Sequence, residues 1–541
     1  MCRAKLILTC IIIITISSIT SAEILNSIPD GILRGTIKND RFGNEFFSFQ
    51  SIPYAKPPIG NLRFKDPIPN DPWDGIKDAT SDLPFCYQFD ENLIGEEDCL
   101  YLNVYTPSLN ATNLPVMVFI HGGSFITGSG RQDYYSPEFL IPENVLLVTL
   151  NYRLNIFGFF SLDDLNFGNA GLKDQRLALE WVQKNIKYFG GDPDKVTIFG
   201  QSAGGACVHL HVLSPQSKGL FSNAIMQSGV ATSPWFVGVP NNGKLLAEVL
   251  QISTDDVSNM LLTLQLLPAA TIFGAFQLLS INNPMRWGGF HVPIVEKQTD
   301  GTAFLIDEPL NLIKEGNYNK VPLLIGYTDA EGIYFEQFLR NLTGQITPLT
   351  DFFAFVPDEL GISPGTPEAL ELGEELRRFY EGDESPPDNL QPFIDIYRDT
   401  WFALPGRKAA LEHAKTNENP IYFYRFSADT AMNVYKNRDE ISMSYKGASH
   451  CDDLSYMLNT FITPKIEENS VEDFAVNRVV KMWTNFAKNS NPNFLGDDDW
   501  KSVSDGVMNY VDIGSNENKS GVDPDDVNVQ FWLDIFERYG V

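Results

Sequence analysis

Val196-Thr197-Ile198-Phe199-Gly200-Gln201-Ser202-Ala203-Gly204-Gly205 decides the fold. Its first half is short, apolar and β-branched, as expected of a strand buried on both faces of a parallel sheet. Its second half is a Gly-x-Ser-x-Gly turn leading into a helix. A serine hydroxyl is a weak nucleophile, needs a base to take its proton, and must stand clear of the backbone. A sharp strand-to-helix elbow exposes it, and crowding there leaves room only for small residues two before and two after it, here Gly200 and Gly204. The pentapeptide alone recurs by chance in many chains; the strand ahead of it makes Ser202 the candidate nucleophile.

Similar apolar runs, each bounded by turn residues, lie at Val116–Ile120, Val145–Leu150, Ala224–Met226, Val321–Ile325 and Ile421–Phe426. Between two of them Leu172–Ile186 is predicted helical, with Leu177, Ala178, Trp181, Val182 and Ile186 on one face. Gly190-Gly191-Asp192-Pro193 stops that helix and turns the chain into the elbow strand. Strand, helix, strand in this order is a βαβ unit with a right-handed crossover. The set predicts an α/β chain: a large, mostly parallel central sheet with helices on both faces. Phe474–Ala487 is predicted as a further amphipathic helix, stopped by the polar cluster Asn489–Asn493. Residues 235–300 read as an irregular insertion and Glu381–Asn389 as an exposed loop. Length alone suggests roughly three or four domains, but large α/β sheets hold together as one unit. No clean linker interrupts residues 23–541, which are expected to form a single domain.

Hydrophobic residues at 43% and charged residues at 20% exclude wholesale disorder. The 69 Asp+Glu against 40 Lys+Arg give a formal charge of −29, a surface that repels phosphate backbones and anionic lipid, so nucleic acid is excluded as a partner. Arg3 and Lys5, the apolar run Leu6 to Ile16 and the small-residue stretch ending Thr20-Ser21-Ala22 describe a secretory signal peptide over residues 1–22. The run is too short for a membrane span, and the end of the chain, Glu537 to Val541, is neither an ER-retention tetrapeptide nor a lipid-anchor tail. The expected product is secreted, extracellular and without a stable membrane anchor. Cys2 and Cys10 leave with the signal. Of the rest, Cys86 and Cys99 are able to close a short loop, worth about 3 kcal/mol by chain entropy. Cys207 and Cys451 are either free thiols or a second bridge. Sequons at Asn110, Asn341 and Asn518 offer glycosylation sites to a secreted chain.

An oxyanion forming on a carbonyl substrate needs pre-aimed backbone N–H donors. One is expected from Ala203, directly after the nucleophile; others from Ile120-His121-Gly122-Gly123-Ser124-Phe125, a glycine-rich loop following a buried strand. The base and its acid should follow the serine in the order acid, histidine. Among six histidines, His121 belongs to the glycine loop, His209 and His211 point to different faces of one helix and cannot share a metal, and His291 and His413 fit core or surface positions. His450, in Gly447-Ala448-Ser449-His450-Cys451-Asp452-Asp453, lies in a loop after a predicted strand, where a general base belongs. For the acid, Glu331 and Asp329 in Thr328-Asp329-Ala330-Glu331-Gly332 are close rivals, and the residues alone do not separate them. No cysteine, histidine or carboxylate spacing fits a metal site, and no cofactor is implied.

The chain resembles the type-B carboxylesterase/cholinesterase family. Phe189-Gly190-Gly191 through Gly200-Gln201-Ser202-Ala203-Gly204 matches the family's nucleophile signature, and Glu97-Asp98-Cys99-Leu100-Tyr101-Leu102-Asn103-Val104-Tyr105-Thr106-Pro107 its second one. The likeness runs from about residue 30 to about 535. It implies the α/β-hydrolase fold and hydrolysis of small-molecule carboxylic esters through an acyl-serine. It implies Ser202, Glu331 and His450 as triad, Glu331 being favoured because the family places its acid just before glycine. It implies Gly123, Ser124 and Ala203 as oxyanion donors, Ser228 as a supporting serine, a Cys86–Cys99 bridge, and the ion pairs Arg63–Glu97 and Arg153–Asp174. A second family disulfide in mid-chain has no cysteines here, and a looser loop is expected there. The Cys86–Cys99 interval contains no tryptophan to hold a quaternary ammonium, which argues against choline esters. Gln201 replaces the commoner glutamate and is similar to juvenile-hormone esterases; the rest of the chain resembles generalist insect esterases, ranked first. The acyl side is expected near Trp287 and Gly289. The rival from another class is a non-catalytic adhesion or binding protein on the same fold, and a third reading is a slow-deacylating scavenger.

Overall fold

The computed structural model describes residues 24–540 except 91, 237, 283–288, 298–299, 344–350, 383–388, 495–499 and 505. The predicted signal segment, Trp287 and most of the predicted 381–389 loop therefore lie outside the described residues.

Seven strands run parallel, in the spatial order Leu146–Leu150, Leu114–Ile120, Gly191–Gln201, Asn223–Gln227, Leu323–Thr328, Ile421–Phe426 and Asn509–Ile513. Antiparallel strands extend the sheet at both edges, from Ile24–Ile28 through Tyr101–Thr106 on one side and Asn518–Val522 on the other. Every apolar run expected to be a strand is one. Period-two alternation then splits each strand between two cores. Val116, Val118, Ile120, Val148, Ile198 and Met226 face one side, where they meet Leu172, Val182, Ala206 and Ala410 of three helices, Ala170–Asn185, Ala203–Leu213 and Leu404–Thr416. Met117, Phe119, Phe199, Ile225 and Tyr424 face the other, covered by Val476, Val479, Trp483 and Phe486 of Val471–Asn489. Helices on both faces explain why the central stretches of these strands, such as Val116–Ile120 and Leu323–Ile325, are apolar.

The Ala170–Asn185 helix is buried almost all round, so its polar residues are paired inside. Asp174 receives Arg153 through Nη2 and Nε at 2.6 and 2.8 Å, the expected ion pair. The other expected pair also forms: Arg63 grips Glu97 through Nε and Nη2, both at 2.6 Å.

Residues 235–300 are not an irregular insertion. They contain the helices Asn242–Val249, Val257–Leu266 and Ala269–Asn282, which bury Leu246, Met260, Leu264, Ile272 and Phe276 in a separate core shared with Phe64, Ile156, Phe157 and Phe160. In Val257–Leu266 and Ala269–Asn282 the apolar residues are spread widely around the helix, which blurred the helical period. Arg63 Nη1 donates to the carbonyls of Leu264, Gln265 and Leu267, clamping the end of one helix to the body of the protein. Among the described residues no single helix is long and apolar enough to cross a membrane.

Cys86 and Cys99 are bridged, whereas Cys207 and Cys451 are free, which removes the second-bridge alternative. The bridge closes a short surface loop, sequence separation 13. Replacing both cysteines by alanine should lower the unfolding free energy by about 3 kcal/mol, read from the urea midpoint and slope together, because the unfolded chain, freed of the loop, also exposes more surface.

Candidate active site

The site is assembled at the carboxyl ends of the parallel strands, where loops leave the sheet. Ser202 follows Gly191–Gln201 directly and holds φ 59°, ψ −128°, a strained conformation for a residue with a Cβ. Its N–H donates to Gln227 O at 2.8 Å, and its carbonyl accepts from Ala206 N at 3.0 Å. A Cβ on Gly204 would stand 2.1 Å from Ile120 O, and one on Gly200 2.5 Å from Gly204 O, so only glycine fits the elbow. Ala203 opens the following helix, where the first N–H groups have no intrahelical acceptor and the positive end of the dipole lies.

The glycine loop leaves the neighbouring strand Leu114–Ile120. Gly123, Ser124 and Phe125 have φ of 104°, 53° and 61° in succession, a run that turns their backbone N–H groups out of any ladder. Gly123 O accepts from Ile126 N and Thr127 N, both at 3.0 Å, which fixes the turn. Among the described residues none of the N–H groups of Gly123, Ser124 and Ala203 has a protein acceptor.

Glu331 and His450 are brought together from two later strands. Glu331 is fully buried; its Oε1 accepts from Thr328 N at 2.9 Å and its Oε2 lies 2.5 Å from His450 Nδ1. Asp329, the rival acid, instead accepts Ala448 N on Oδ1 at 2.7 Å, and so braces the loop that carries the histidine. Burial pushes its carboxyl up to about 7. His450 is enclosed by the rings of Phe402, Phe335 and Tyr334 at 4.8, 5.3 and 5.6 Å. Burial disfavours its imidazolium, yet Cys451 and Glu331 outweigh burial and hold the pKa well above the ordinary histidine value. Gln201 links the histidine to the elbow: its Nε2 lies 3.2 Å from His450 Nε2. Ser228 adjoins this strand end, donates its N–H to Gly326 O at 2.8 Å, and buries its hydroxyl without a hydrogen-bond partner among the described residues.

The other five histidines are held neutral. Burial lowers His121 and His291 to about 4 and His209 and His211 to about 3, and lowers His413 well below its ordinary value. His209 Nδ1 accepts from Ala231 N at 3.0 Å, so its Nε2 carries the hydrogen and donates to His413 Nε2 at 2.8 Å. His211 lies between Ser217 Oγ and Gln175 Oε1. His209 and His211 thus serve different partners. The His209–His413 pair had no signal in the sequence, because its members lie 204 residues apart.

An aromatic wall was not foreseen either. A π-helical turn, Arg398–Ala403, carries Trp401 and Phe402 against Phe335 at 5.1 and 5.9 Å, and Trp235 stands 6.5 Å from Phe402. Such turns often mark functional sites, but nothing in the sequence pattern announces one. Gly289 pairs with Gly238 in an isolated bridge.

The order in which the sheet delivers these residues, serine, then acid, then histidine, is that of the α/β-hydrolases, and the class follows from it. The chain belongs to the carboxylesterase family, whose model matches residues 22–532, and it is a carboxylic ester hydrolase. It is similar to the juvenile hormone esterase of Tribolium castaneum, 36% identical over 88% of this chain and 85% of that one. It is also similar to pyrethroid hydrolase Ces2a of Mus musculus, 34% identical over 89% of this chain and 86% of the other. Among solved structures, the juvenile hormone esterase of Manduca sexta with OTFP covalently attached superimposes with a TM-score of 0.83 at 32% identity, covering 95% of this chain and all of that one.

Proposed function

We propose that this carboxylesterase works through an acyl-Ser202 intermediate, with His450 as general base and acid, Glu331 as its orienting carboxylate, and the N–H groups of Gly123, Ser124 and Ala203 as oxyanion donors. The observation that carries the proposal is the Glu331–His450 contact of 2.5 Å beside a left-handed elbow serine. Glu331 holds the Nδ1 hydrogen, which leaves Nε2 with its lone pair toward the elbow. As Ser202 Oγ attacks the ester carbonyl, Nε2 takes its proton and the three N–H groups hold the oxyanion. Collapse returns that proton to the leaving alcohol and leaves the acyl-serine. Water then gives a proton to His450 and its oxygen to the acyl carbon, and the acid departs as Ser202 regains its hydrogen.

A nitrophenyl ester tests the scheme. Steady turnover after an acyl-enzyme burst is expected; a burst without turnover would make the protein a scavenger, and no Ser202-dependent release would leave only a binding role. Glu331→Gln should keep the fold and lower kcat by about ten-thousandfold, because the amide favours the wrong imidazole tautomer.

The wall of Phe335, Phe402, Trp401 and Trp235 favours apolar acyl or alcohol groups. We rank broad-specificity hydrolysis of xenobiotic or lipid esters first. Juvenile hormone esterase is the second reading, favoured by Gln201 and by the juvenile hormone esterases among its relatives. A substrate panel decides: preference for a long-chain terpenoid methyl ester over short acyl esters would reverse the order. The protein is read as secreted after cleavage at Ala22, with residues 23–541 as one domain. Asn110 and Asn341 are exposed and suited to glycans. Asn518 Nδ2 donates to Met482 Sδ at 3.5 Å, so glycosylation there would break an inward contact.

A further inference from the structure

Cys451 follows the catalytic histidine in the chain and takes φ 75°, the left-handed region that favours glycine. Its thiol is not bridged, and its Sγ donates to Gln201 Oε1 at 3.2 Å. The other end of that amide, Nε2, lies 3.2 Å from His450 Nε2 and 3.5 Å from His450 Nδ1. A donor in line with either ring lone pair would be far from the other nitrogen. The near-equal distances therefore put the amide N–H₂ against the face of the imidazole, leaving the in-plane lone pair of Nε2 unused by the amide and Nδ1 on Glu331.

We propose that Cys451 is a positioning residue for His450: its S–H, donated to Gln201 Oε1, decides which end of that amide lies against the imidazole. The amide is chemically two-ended. Its N–H₂ end is positive and suits the electron-rich face of neutral imidazole; its oxygen end would attract imidazolium. With the oxygen tied to the thiol, the positive end stays on the ring and favours the neutral form that can accept the serine proton. The other titratable groups around the ring act separately. Cys451 and Glu331 raise its pKa, each also through a direct side-chain hydrogen bond to the ring; Asp453 lies within electrostatic range of the ring, and the Tyr334 ring stands 5.6 Å away. Tyr135 and Tyr435 lie within electrostatic range of the thiol. The remaining neighbours, Phe335 and Phe402, carry no charge.

The proposal rests on His450 being the base, and the test keeps the two apart. The acid-side midpoint of kcat/KM for a nitrophenyl ester is measured on the whole enzyme from about pH 5 to about pH 10, a range that reaches above the ordinary histidine value because Cys451 and Glu331 hold the His450 pKa up. Cys451→Ala removes the donor, lets the amide turn its oxygen to the ring, and should raise the midpoint by about half a unit to one unit. Cys451→Gly, whose backbone suits the φ, should do the same. Cys451→Ser keeps a donor and should restore the wild-type midpoint. In a Gln201→Ala background, with no amide to orient, replacing Cys451 should move nothing. Methylthiolation of the folded wild-type enzyme, in which the Cys451 thiolate displaces methanesulfinate from methyl methanethiolsulfonate, removes the same S–H without refolding and should raise the midpoint too. An unchanged midpoint in the donor-less forms overturns the proposal, as does a shift in Cys451→Ser equal to that in Cys451→Ala. A downward shift also overturns it, since that is the sign of losing the direct Cys451–His450 contact rather than of a turned amide. Turnover surviving in His450→Ala would instead sink the base assignment.

Discussion

Ser202→Ala is expected to lower kcat for a nitrophenyl ester by about a millionfold while the protein keeps its thermal midpoint. In a serine–histidine–carboxylate site the residues act as a unit, so removing the nucleophile alone costs nearly as much as removing all three. What survives is the modest rate from the oxyanion donors and substrate binding. Stability should hold because alanine has the same Cβ as serine. The φ of 59° at the elbow costs the same strain in either protein, and the backbone bonds to Gln227 and Ala206 use no side-chain atom. Wild-type-like turnover in the variant would show that the hydroxyl of Ser202 is not the nucleophile; a large drop in thermal midpoint would mean that its loss of activity reports unfolding.

The largest expected effect on stability lies away from the reaction. Asp174 is fully buried, and Arg153 is nearly so, with three N–H groups of Arg153 on the carboxylate: Nη2, Nε and its own backbone N–H. Burial pushes the Asp174 carboxyl up while Arg153 pulls it down, and burial in turn works against a guanidinium whose charge Asp174 sustains. Asp174→Asn keeps the volume and removes the charge. Arg153 cannot shed its proton, and among the described residues its only other hydrogen-bond partner is Lys65 O at 2.8 Å. An uncompensated buried charge costs about 3–5 kcal/mol. The urea midpoint should fall accordingly with an unchanged slope, and a fall of under about 1 kcal/mol would show that solvent reaches the pair.

Local physics made much of this protein legible. The elbow needs glycine on both sides of Ser202 because Ile120 O and Gly204 O stand where a Cβ would be. Strands covered on two faces are apolar at most positions, so the parallel sheet shows in a single reading of the chain. Both are properties of a few neighbouring residues. The segment 235–300 hid its helices because their apolar residues are shared among faces, and a period is legible only when one face is polar.

The partners of Ser202 are a different matter. Glu331 and Asp329 are two residues apart, both acidic, both just beyond a buried strand, and only the family pattern preferred one of them in the sequence. In the fold the choice is made across 119 residues: one carboxylate meets His450 Nδ1, while the other takes the backbone N–H of Ala448 and braces the histidine's loop. The freedom of Cys207 and Cys451, the burial that keeps five histidines neutral, and the aromatic wall were settled the same way. Sequence by itself determined the glycine elbow that carries Ser202 and the sheet that presents it, because strands, turns and glycine elbows obey short-range sterics. Which acid holds the base, and which amide end lies on its ring, depends on groups that meet only when the chain has folded.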